Sequence, residues 1–395
     1  MTPSVIYQIY PLGAVGAPIR DWTDPHPEKH RLRRLEPWLD HAATLANTLL
    51  LGPIFASATH GYDTLDHYRL DPRLGDEGDL EWLFAACRER GLTLILDGVF
   101  NHVAKDHPLA EMAARDEQGN PRAFEGHEAL LELDHTREDV AQEIVKIMCH
   151  WLDRGIGGWR LDAAYRIAPE RWGKIAAMVR ERHPDAWLEG EVIHGDYPAY
   201  CAPGRLDSVT QYELWKAIWS SLKDGNLFEL DWNLKRHGEF LDTFIPQTFI
   251  GNHDVERIAS TLGDSGAALA ALILATVGGI PSIYAGDEFA FRGVKAEGFA
   301  ADDPLRPKLP GTPEEAIVSP AAQTMWEVYQ WLAHLRTSRP WLTSARTEMI
   351  ELENTACTYR TRGEGGELTV TIDLEAPSAT VSEGGQDIWH LPALD

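Results

Sequence analysis

The chain has 395 residues, of which 44% are hydrophobic and 25% are charged, an ordinary composition for a soluble globular protein. This composition excludes a disordered, collagen-like or coiled-coil chain as the main architecture. Because 61 acidic residues outnumber 36 Lys and Arg, the formal net charge is −25, which disfavours nucleic acid and anionic membranes as partners. Four widely separated cysteines and an N-terminus without a basic segment or a long apolar core favour a reducing, cytoplasmic location without a signal peptide.

Eight short apolar runs recur along the chain and predict strands that are buried on both faces. These runs are Val5–Tyr10, Thr48–Ile54, Thr93–Val99, Gly158–Asp162, Trp187–Val192, Leu206–Thr210, Ile245–Gly251 and Ile280–Ala285. Helical patterns lie between them, and they are Arg33–Ala46, Asp79–Arg90, Glu138–Leu152, Pro169–Arg182, Tyr212–Leu222 and Thr324–Arg336.

The alternation of strands and helices predicts the α/β fold class and a (β/α)8 TIM barrel. A doubly wound open sheet is the alternative, and it would normally show a glycine-rich phosphate turn after its first strand. Here the first strand is followed by Pro-Leu-Gly-Ala-Val-Gly at residues 11–16, which lacks the nucleotide-binding spacing. We therefore expect the barrel.

Two segments depart from a bare barrel. Residues 103–133 are polar and too long for a simple loop, so they predict a short inserted lobe after the third strand. Residues 339–395 contain β-rich segments separated by a glycine-rich turn and predict a small C-terminal β domain. The catalytic barrel would then comprise residues 1–102 and 134–338.

One stretch is apolar enough to imitate a membrane span. Residues 265–286 carry no charged side chain. Gly278, Gly279 and Pro281 interrupt this stretch, and they favour a buried helix followed by a buried strand.

Acidic side chains stand at the ends of four predicted strands. Asp97 ends the third strand, Asp162 the fourth and Glu191 the fifth, and Asp254 follows the seventh. The C-terminal ends of barrel strands form the active face, so these side chains are expected at one level. One such aspartate would be explained by helix capping, but four carboxylates would not.

Three acidic groups around one cleft suit glycoside hydrolysis, with a nucleophile, a proton donor and a group that stabilises positive charge. Arg160 lies two residues before Asp162, so both side chains face the same way and the guanidinium is expected to keep Asp162 ionised. His102 and His253 could donate hydrogen bonds to sugar hydroxyls, and Tyr62 could stack on a sugar ring.

A series of motifs follows the order of these strands. It comprises His60-Gly-Tyr-Asp-Thr-Leu-Asp66-His-Tyr, Asp97-Gly-Val-Phe-Asn-His102, Gly158-Trp-Arg-Leu-Asp162-Ala-Ala, Gly190-Glu191-Val, Phe249-Ile-Gly-Asn-His253-Asp254 and Gly279-Ile-Pro-Ser-Ile-Tyr-Ala-Gly-Asp-Glu288. Each motif alone is weak, but together and in this order they resemble the α-amylase family of glycoside hydrolases along nearly the whole barrel.

The resemblance implies a function for these residues. Asp162 would be the nucleophile, Glu191 the general acid/base and Asp254 the transition-state stabiliser. Tyr62, His102, Arg160 and His253 would line the subsite of the reacting glucose, with Asp97 supporting it. The implied reaction is retaining cleavage of α-glucosidic bonds, mainly α-1,4, in maltodextrin- or starch-like α-glucans, through a covalent glucosyl-enzyme.

Other expectations concern ligands and partners. Where many α-amylases carry a Lys-His pair after the nucleophile, this chain has Tyr165 and Arg166, so the contacts to the leaving sugar are expected to differ. No cofactor is expected to be required, although calcium could take oxygen ligands from Asn101 and Asp134. An α-glucan oligosaccharide is the expected partner, and the chain is expected to be a monomer or a homodimer. Trp389 could bind sugar, but a structural cap is favoured for the C-terminal β domain.

Three alternatives remain open at this point. A metal-dependent amidohydrolase would need a His-x-His at the end of the first strand, which ends in Tyr10 and Pro11 instead. A transglycosylase or isomerase would use the same carboxylates and differ in the acceptor. A non-catalytic carbohydrate-binding relative is disfavoured because all three catalytic carboxylates are present.

Overall fold

A computed structural model of the chain describes residues 3–20, 28–298, 300–392 and 394. The strands are, in chain order, β1 Ile6–Ile9, β2 Thr48–Leu51, β3 Phe55–Ser57, β4 Thr64–Leu70, β5 Thr93–Gly98, β6 His102–Ala104, β7 Ala123–Phe124, β8 His127–Glu132, β9 Gly158–Leu161, β10 Trp187–Gly190, β11 Ser208–Val209, β12 Gln247–Phe249, β13 Ile280–Tyr284, β14 Arg346–Leu352, β15 Ala356–Gly363, β16 Gly366–Asp373, β17 Ser378–Glu383 and β18 Gln386–His390.

The α-helices are α1 Pro11–Ala14, α2 Glu36–Leu45, α3 Glu77–Glu89, α4 Glu138–Asp153, α5 Pro169–Arg182, α6 Tyr197–Tyr200, α7 Tyr212–Asp224, α8 Leu227–Leu241, α9 Ile258–Thr276 and α10 Pro320–Ser338. Short 3-10 helices occupy Arg31–Leu35, Pro108–Met112, Ala164–Arg166, Asp287–Phe289, Asp303–Leu305, Pro313–Ala316 and Pro340–Ser344.

The eight predicted strands are confirmed and belong to one sheet, in the order β11-β10-β9-β5-β2-β1-β13-β12. An isolated parallel bridge between Thr210 and Gln247 links the residue after β11 to β12. The predicted (β/α)8 barrel is therefore confirmed, with a C-terminal antiparallel sheet after it. The sixth strand is shorter than its apolar run, and α8, which the sequence reading did not predict, follows α7.

The chain divides into two compact units, which are described separately. The first comprises residues 9–39 and 49–209. Its strands β5, β9, β10 and β11 pair in parallel, and their side chains are almost all buried because both faces of the strands are covered. Helix α4 packs with an amphipathic face on which Ile144, Met148 and Trp151 are buried at helical spacing.

The inserted segment of this unit forms a small three-stranded sheet in the order β6-β8-β7. Strand β8 pairs antiparallel with both neighbours. The polar segment after the third barrel strand therefore has regular structure of its own, in which short β-strands pair with each other.

The second unit comprises residues 3–8, 40–48 and 210–395. Strand β13 pairs in parallel with β1 and with β12. The C-terminal sheet has the order β14-β15-β16-β17-β18, with antiparallel pairing throughout. The predicted glycine turn is confirmed because Gly363 pairs with Gly366, which leaves a two-residue turn between β15 and β16.

Helix α9 contains most of the apolar stretch. It is the one helix among the described residues that is long and apolar enough to cross a membrane, and 61% of its most apolar window is buried inside the protein. Strand β13 follows directly after it, as the sequence predicts. The burial supports the interpretation of this segment as a core helix followed by a core strand.

Candidate active site

Three neighbouring strands of the first unit bring charged side chains together. Asp97 and Arg160 are register partners on β5 and β9, and Asp162 and Glu191 follow the last residues of β9 and β10. All four side chains belong to buried residues, with exposed fractions of 1–8%. Buried charges are tolerated only when they are paired, so their contacts determine what the site can do.

Arg160 is the centre of this cluster. Its Nη1 donates to both oxygens of Asp97 at 2.8 Å and to Oδ1 of Asp162 at 3.0 Å, and its Nη2 lies 2.9 Å from Oε1 of Glu191. Burial acts to lower the pKa of Arg160, but Asp97 and Glu191 raise it well above its ordinary value. The predicted contact between Arg160 and Asp162 is confirmed, and the same guanidinium also holds Glu191.

Asp97 lies deepest in the cluster. Burial raises its pKa to about 6, against the lowering effect of Arg160. Tyr62 donates its hydroxyl to Oδ2 of Asp97 at 3.0 Å. Asp97 therefore holds both Arg160 and Tyr62 in place, and its supporting role at the subsite stays a prediction.

A strained turn positions Glu191. Ala163, directly after Asp162, has a φ of +46°, a left-handed conformation that is uncommon for a residue with a side chain. Its amide donates to Oε2 of Glu191 at 2.9 Å. Because Arg160 holds the other oxygen, both oxygens of Glu191 have a fixed donor.

His102 lies beside this cluster. Its Nε2 donates to the backbone oxygen of Tyr62 at 3.0 Å, and its ring stacks on Phe124 with centroids 4.1 Å apart. Burial lowers the pKa of His102 to about 4, so the ring is neutral near pH 7. The structure thus places His102 with Tyr62 and assigns its Nε2 hydrogen to the protein backbone.

The second unit holds His253 and Asp254, which follow β12. Nε2 of His253 lies 3.0 Å from Oδ2 of Asp254, and Nδ1 of His253 lies 3.1 Å from the side-chain Nε2 of Gln8. Arg306 lies 2.7 Å from Oδ1 of Asp254 and also donates to the backbone oxygen of His253 at 2.9 Å. Asp254 therefore has a cation and an imidazole at its two oxygens.

Arg306 was missed by the sequence analysis. It follows the 3-10 helix Asp303–Leu305, far from the matched motifs, and the sequence around it gives no sign that it contacts Asp254. Glu189 lies on β10, two residues before Glu191, and is fully buried. The sequence analysis did not identify it as a separate group.

The two candidate calcium ligands have local contacts. Oδ1 of Asp134 accepts hydrogen bonds from the amide of Thr136 at 3.0 Å and from its hydroxyl at 2.6 Å. The side-chain Nδ2 of Asn101 lies 3.4 Å from Nδ1 of His102. Neither contact supplies a second carboxylate ligand, so calcium binding at these residues stays a prediction.

Among the described ranges, the cluster with metal-ligand spacing is that of His30, Asp76 and Asp79. Arg33 lies 2.6 Å from Asp79 and supplies a positive charge where a metal ion would sit. The cluster is better explained as the cap of α3, since Asp76 and Asp79 form a reciprocal capping box.

Active sites of parallel barrels lie at the strand ends, and a pair of carboxyl groups there is the equipment that glycoside hydrolysis uses. The family model described as alpha amylase, catalytic domain, matches residues 39–125 and 123–354. The chain therefore belongs to the α-amylase catalytic domain family.

Its sequence relatives carry related names. A cyclomaltodextrinase of a Bacillus species is 28% identical over 288 residues, which are 65% of this chain and 51% of the relative. Alpha-amylase 3 of Dictyoglomus thermophilum is 30% identical over 298 residues, covering 66% and 60% of the two chains. Neopullulanase 2 of Thermoactinomyces vulgaris is 28% identical over 336 residues, covering 73% and 57%. The chain thus matches only about half to three fifths of the length of these relatives.

Solved structures show the same fold. A cyclic alpha-maltosyl-(1→6)-maltose hydrolase from Arthrobacter globiformis superposes with a TM-score of 0.79 at 23% identity, covering 93% of this chain and 90% of that one. An α-amylase from H. orenii gives a TM-score of 0.75 at 22% identity, covering 94% and 89%.

Proposed function

We propose that the protein is a retaining glycosidase that cleaves α-glucosidic bonds, mainly α-1,4, in maltodextrin-like α-glucans. The observation that carries this proposal is the shared contact of Asp162 and Glu191 with one guanidinium, that of Arg160. Double displacement requires two carboxyl groups close together, and a common arginine keeps the two groups in one cluster.

In the proposed reaction Asp162 attacks the anomeric carbon while Glu191 gives its proton to the departing glycosidic oxygen. The bond between the anomeric carbon and that oxygen breaks, and a glucosyl ester of Asp162 forms. Glu191 then takes a proton from water, whose oxygen attacks the same carbon and releases Asp162. Two inversions at one carbon leave the anomeric configuration unchanged.

Asp254 is assigned the role of stabilising positive charge at the sugar ring in the transition state. Support comes from its position after β12 and from its two contacts, Arg306 and His253, which fix both carboxylate oxygens. Tyr62, His102 and His253 are proposed to line the subsite of the reacting glucose.

The substrate class is proposed from the relatives. Their printed names, cyclomaltodextrinase, α-amylase and neopullulanase, all refer to α-glucans. The chain matches only 51–60% of the length of each relative, so the proposal is made for the class of α-glucans as a whole.

The test replaces each of the two carboxyl groups by its amide. Asp162→Asn and Glu191→Gln are expected to lower kcat on maltoheptaose by roughly 10³-fold or more, because each removes a group that acts in the transition state. The control is Asp185→Asn, at an exposed site outside the cluster, which should keep wild-type turnover. Unchanged turnover in Asp162→Asn would contradict the assignment.

Two further readouts separate the alternatives. Proton NMR of the first product formed should show the α anomer if the enzyme retains configuration. Product sizing should show shorter linear maltodextrins for a hydrolase, whereas longer glucans or a rearranged disaccharide would indicate a transglycosylase or an isomerase that uses the same site.

A further inference from the structure

Two carboxyl groups flank the guanidinium of the central arginine from opposite sides. Arg160 on β9 is the register partner of Asp97 on β5 and of Glu189 on β10. Register partners on neighbouring parallel strands place their side chains on the same face of the sheet. Both acidic residues are buried, with exposed fractions of 1% for Asp97 and 0% for Glu189. Arg160 therefore lies between two buried acids that could both attract it.

The two carboxyl groups are bonded very differently. Asp97 accepts hydrogen bonds from Nη1 of Arg160 on both of its oxygens at 2.8 Å. Glu189 forms no ion pair with Arg160 or with any other residue that the structure describes, and its Oε1 has no hydrogen-bond partner there. Its Oε2 accepts only a long bond of 3.3 Å from Nε1 of Trp187. A buried carboxylate with so few partners is unfavourable, so Glu189 fits this place as the uncharged acid.

The groups that face Glu189 agree with an uncharged side chain. Burial is the largest effect on the pKa of Glu189, Asp97 and Asp207 raise it further, Arg160 lowers it, and the result is about 7. Cys201 also faces Glu189, and burial raises the pKa of its thiol far above the ordinary value, so it stays uncharged. A negative charge therefore forms on Glu189 only as the pH rises through about 7.

We propose that Glu189 is a positioning residue whose uncharged form leaves the guanidinium of Arg160 to the two catalytic carboxyl groups, and whose carboxylate form withdraws it. The inference rests on the proposed function, because Arg160 holds Asp162 at 3.0 Å and Glu191 at 2.9 Å. An ionised Glu189 attracts Arg160 from the flank opposite Asp97 and weakens both of these contacts. Glu189 touches no substrate and acts through Arg160 alone.

The experiment measures the pH dependence of kcat/KM on α-maltosyl fluoride, whose leaving fluoride needs no proton from Glu191. In the wild type, kcat/KM should be at least tenfold lower at pH 8.5 than at pH 6, because only about 3% of a group with a pKa of about 7 stays protonated at pH 8.5. In Glu189→Gln the ratio of the two values should rise about tenfold, because glutamine stays uncharged.

Two further variants serve as controls for this ratio. Glu189→Asp keeps a titrating carboxyl group and should keep the decline toward pH 8.5. Glu181→Gln removes an exposed carboxyl group on α5 and should keep the wild-type ratio. Should Glu189→Gln fail to fold, as judged by its thermal midpoint, Glu189→Met takes its place, because it is also uncharged and has a similar length.

The outcomes separate the two proposals. If the wild-type protein cleaves neither maltoheptaose nor the fluoride, the proposed function is wrong. If it cleaves both and Glu189→Gln keeps the wild-type ratio, only this inference is overturned. A second readout needs no turnover: the infrared difference spectrum of wild type minus Glu189→Gln should show the carbonyl band of a protonated carboxyl group at pH 6 and lose it at pH 8.5. A spectrum without this band at pH 6 would overturn the inference whatever the protein cleaves.

Discussion

Glu189 is a carboxyl group without a full set of partners. It lies next to Arg160 in the register of β10 and β9 and has no solvent exposure. Its Oε2 accepts only a long hydrogen bond of 3.3 Å from Nε1 of Trp187, and its Oε1 has no partner among the residues that the structure describes. Burial raises the pKa of Glu189 to about 7, so the neutral acid is the form that fits this place.

Glu189→Gln is therefore expected to stabilise the protein more at pH 8.5 than at pH 5. Because folding raises the pKa of Glu189 from about 4.5 to about 7, the protonated side chain stabilises the folded state fully below pH 4.5, and this contribution is lost as the pH rises through 7. Glutamine does not titrate, so the mutant does not lose stability in this way. The effect of the mutation on the free energy of unfolding should differ between the two pH values by an amount on the order of 3 kcal/mol, measured by urea unfolding at both. The exposed Glu181→Gln on α5 is the control. An equal difference between mutant and wild type at both pH values would contradict the account.

At the scale of elements, one carboxylate connects the β7–β8 hairpin of the inserted lobe to the loop after β9. Glu132, at the end of β8, has an exposed fraction of only 6% and receives Arg122 at 2.6 Å on Oε2 and Arg166 at 2.6 Å on Oε1. Arg122 belongs to the lobe and Arg166 to the loop after β9. Glu132 therefore ties the lobe to the barrel loop, within a single compact unit of the chain.

Glu132→Ala should loosen this attachment, because it leaves two guanidinium groups without a shared anion. We expect a local destabilisation of about 1–3 kcal/mol and faster cleavage by trypsin after Arg122, followed by mass spectrometry of the fragments. Glu143→Ala removes an exposed pair with Lys146 on α4 and serves as the control, since surface pairs contribute little. Equal cleavage rates in the two variants would show that Glu132 does not hold the lobe.

The elements that could be predicted from the sequence are those whose signal is local. Strands buried on both faces appear as short apolar runs, and all eight of them occur where the sequence places them. Asp97, Asp162 and Glu191 could be placed because strand ends fix their level in a barrel, and the structure brings them together on Arg160.

Other features depend on contacts between distant residues, so no local pattern indicates them. Arg306 meets Asp254 across 52 positions of sequence, and Glu125 meets Tyr165 across 40. The buried side of helix α8 is not uniformly apolar, so its helical pattern is weak. It comprises Leu227, Leu230, Asn233, Leu234, His237, Phe240 and Leu241.

At the scale of the whole molecule, buried titratable groups set the pH dependence of stability. Among the residues that the structure describes, burial lowers the pKa of five histidines, to about 3 for His67 and to about 4 for His102, His107, His135 and His237. In the same part of the chain, burial raises the pKa of three carboxyl groups, to about 6 for Asp97 and Asp287 and to about 7 for Glu189. The histidines and the carboxyl groups have opposite effects on the pH dependence of stability over the same range of pH.

The histidines are expected to dominate, because they are more numerous and their shifts are at least as large. As the pH falls from about 6.5 to 4, the unfolded chain binds protons on these histidines and the folded chain does not, so stability is lost. The acids gain protons in the folded state and offset only part of this loss. The thermal midpoint should therefore fall by roughly 5 °C or more between pH 7 and pH 4.5 at constant ionic strength, measured by calorimetry. His237→Gln removes one contributor whose Nε2 donates to Gly278, and should make the dependence shallower. A midpoint that is constant or rises toward pH 4.5 would show that the carboxyl groups control acid stability.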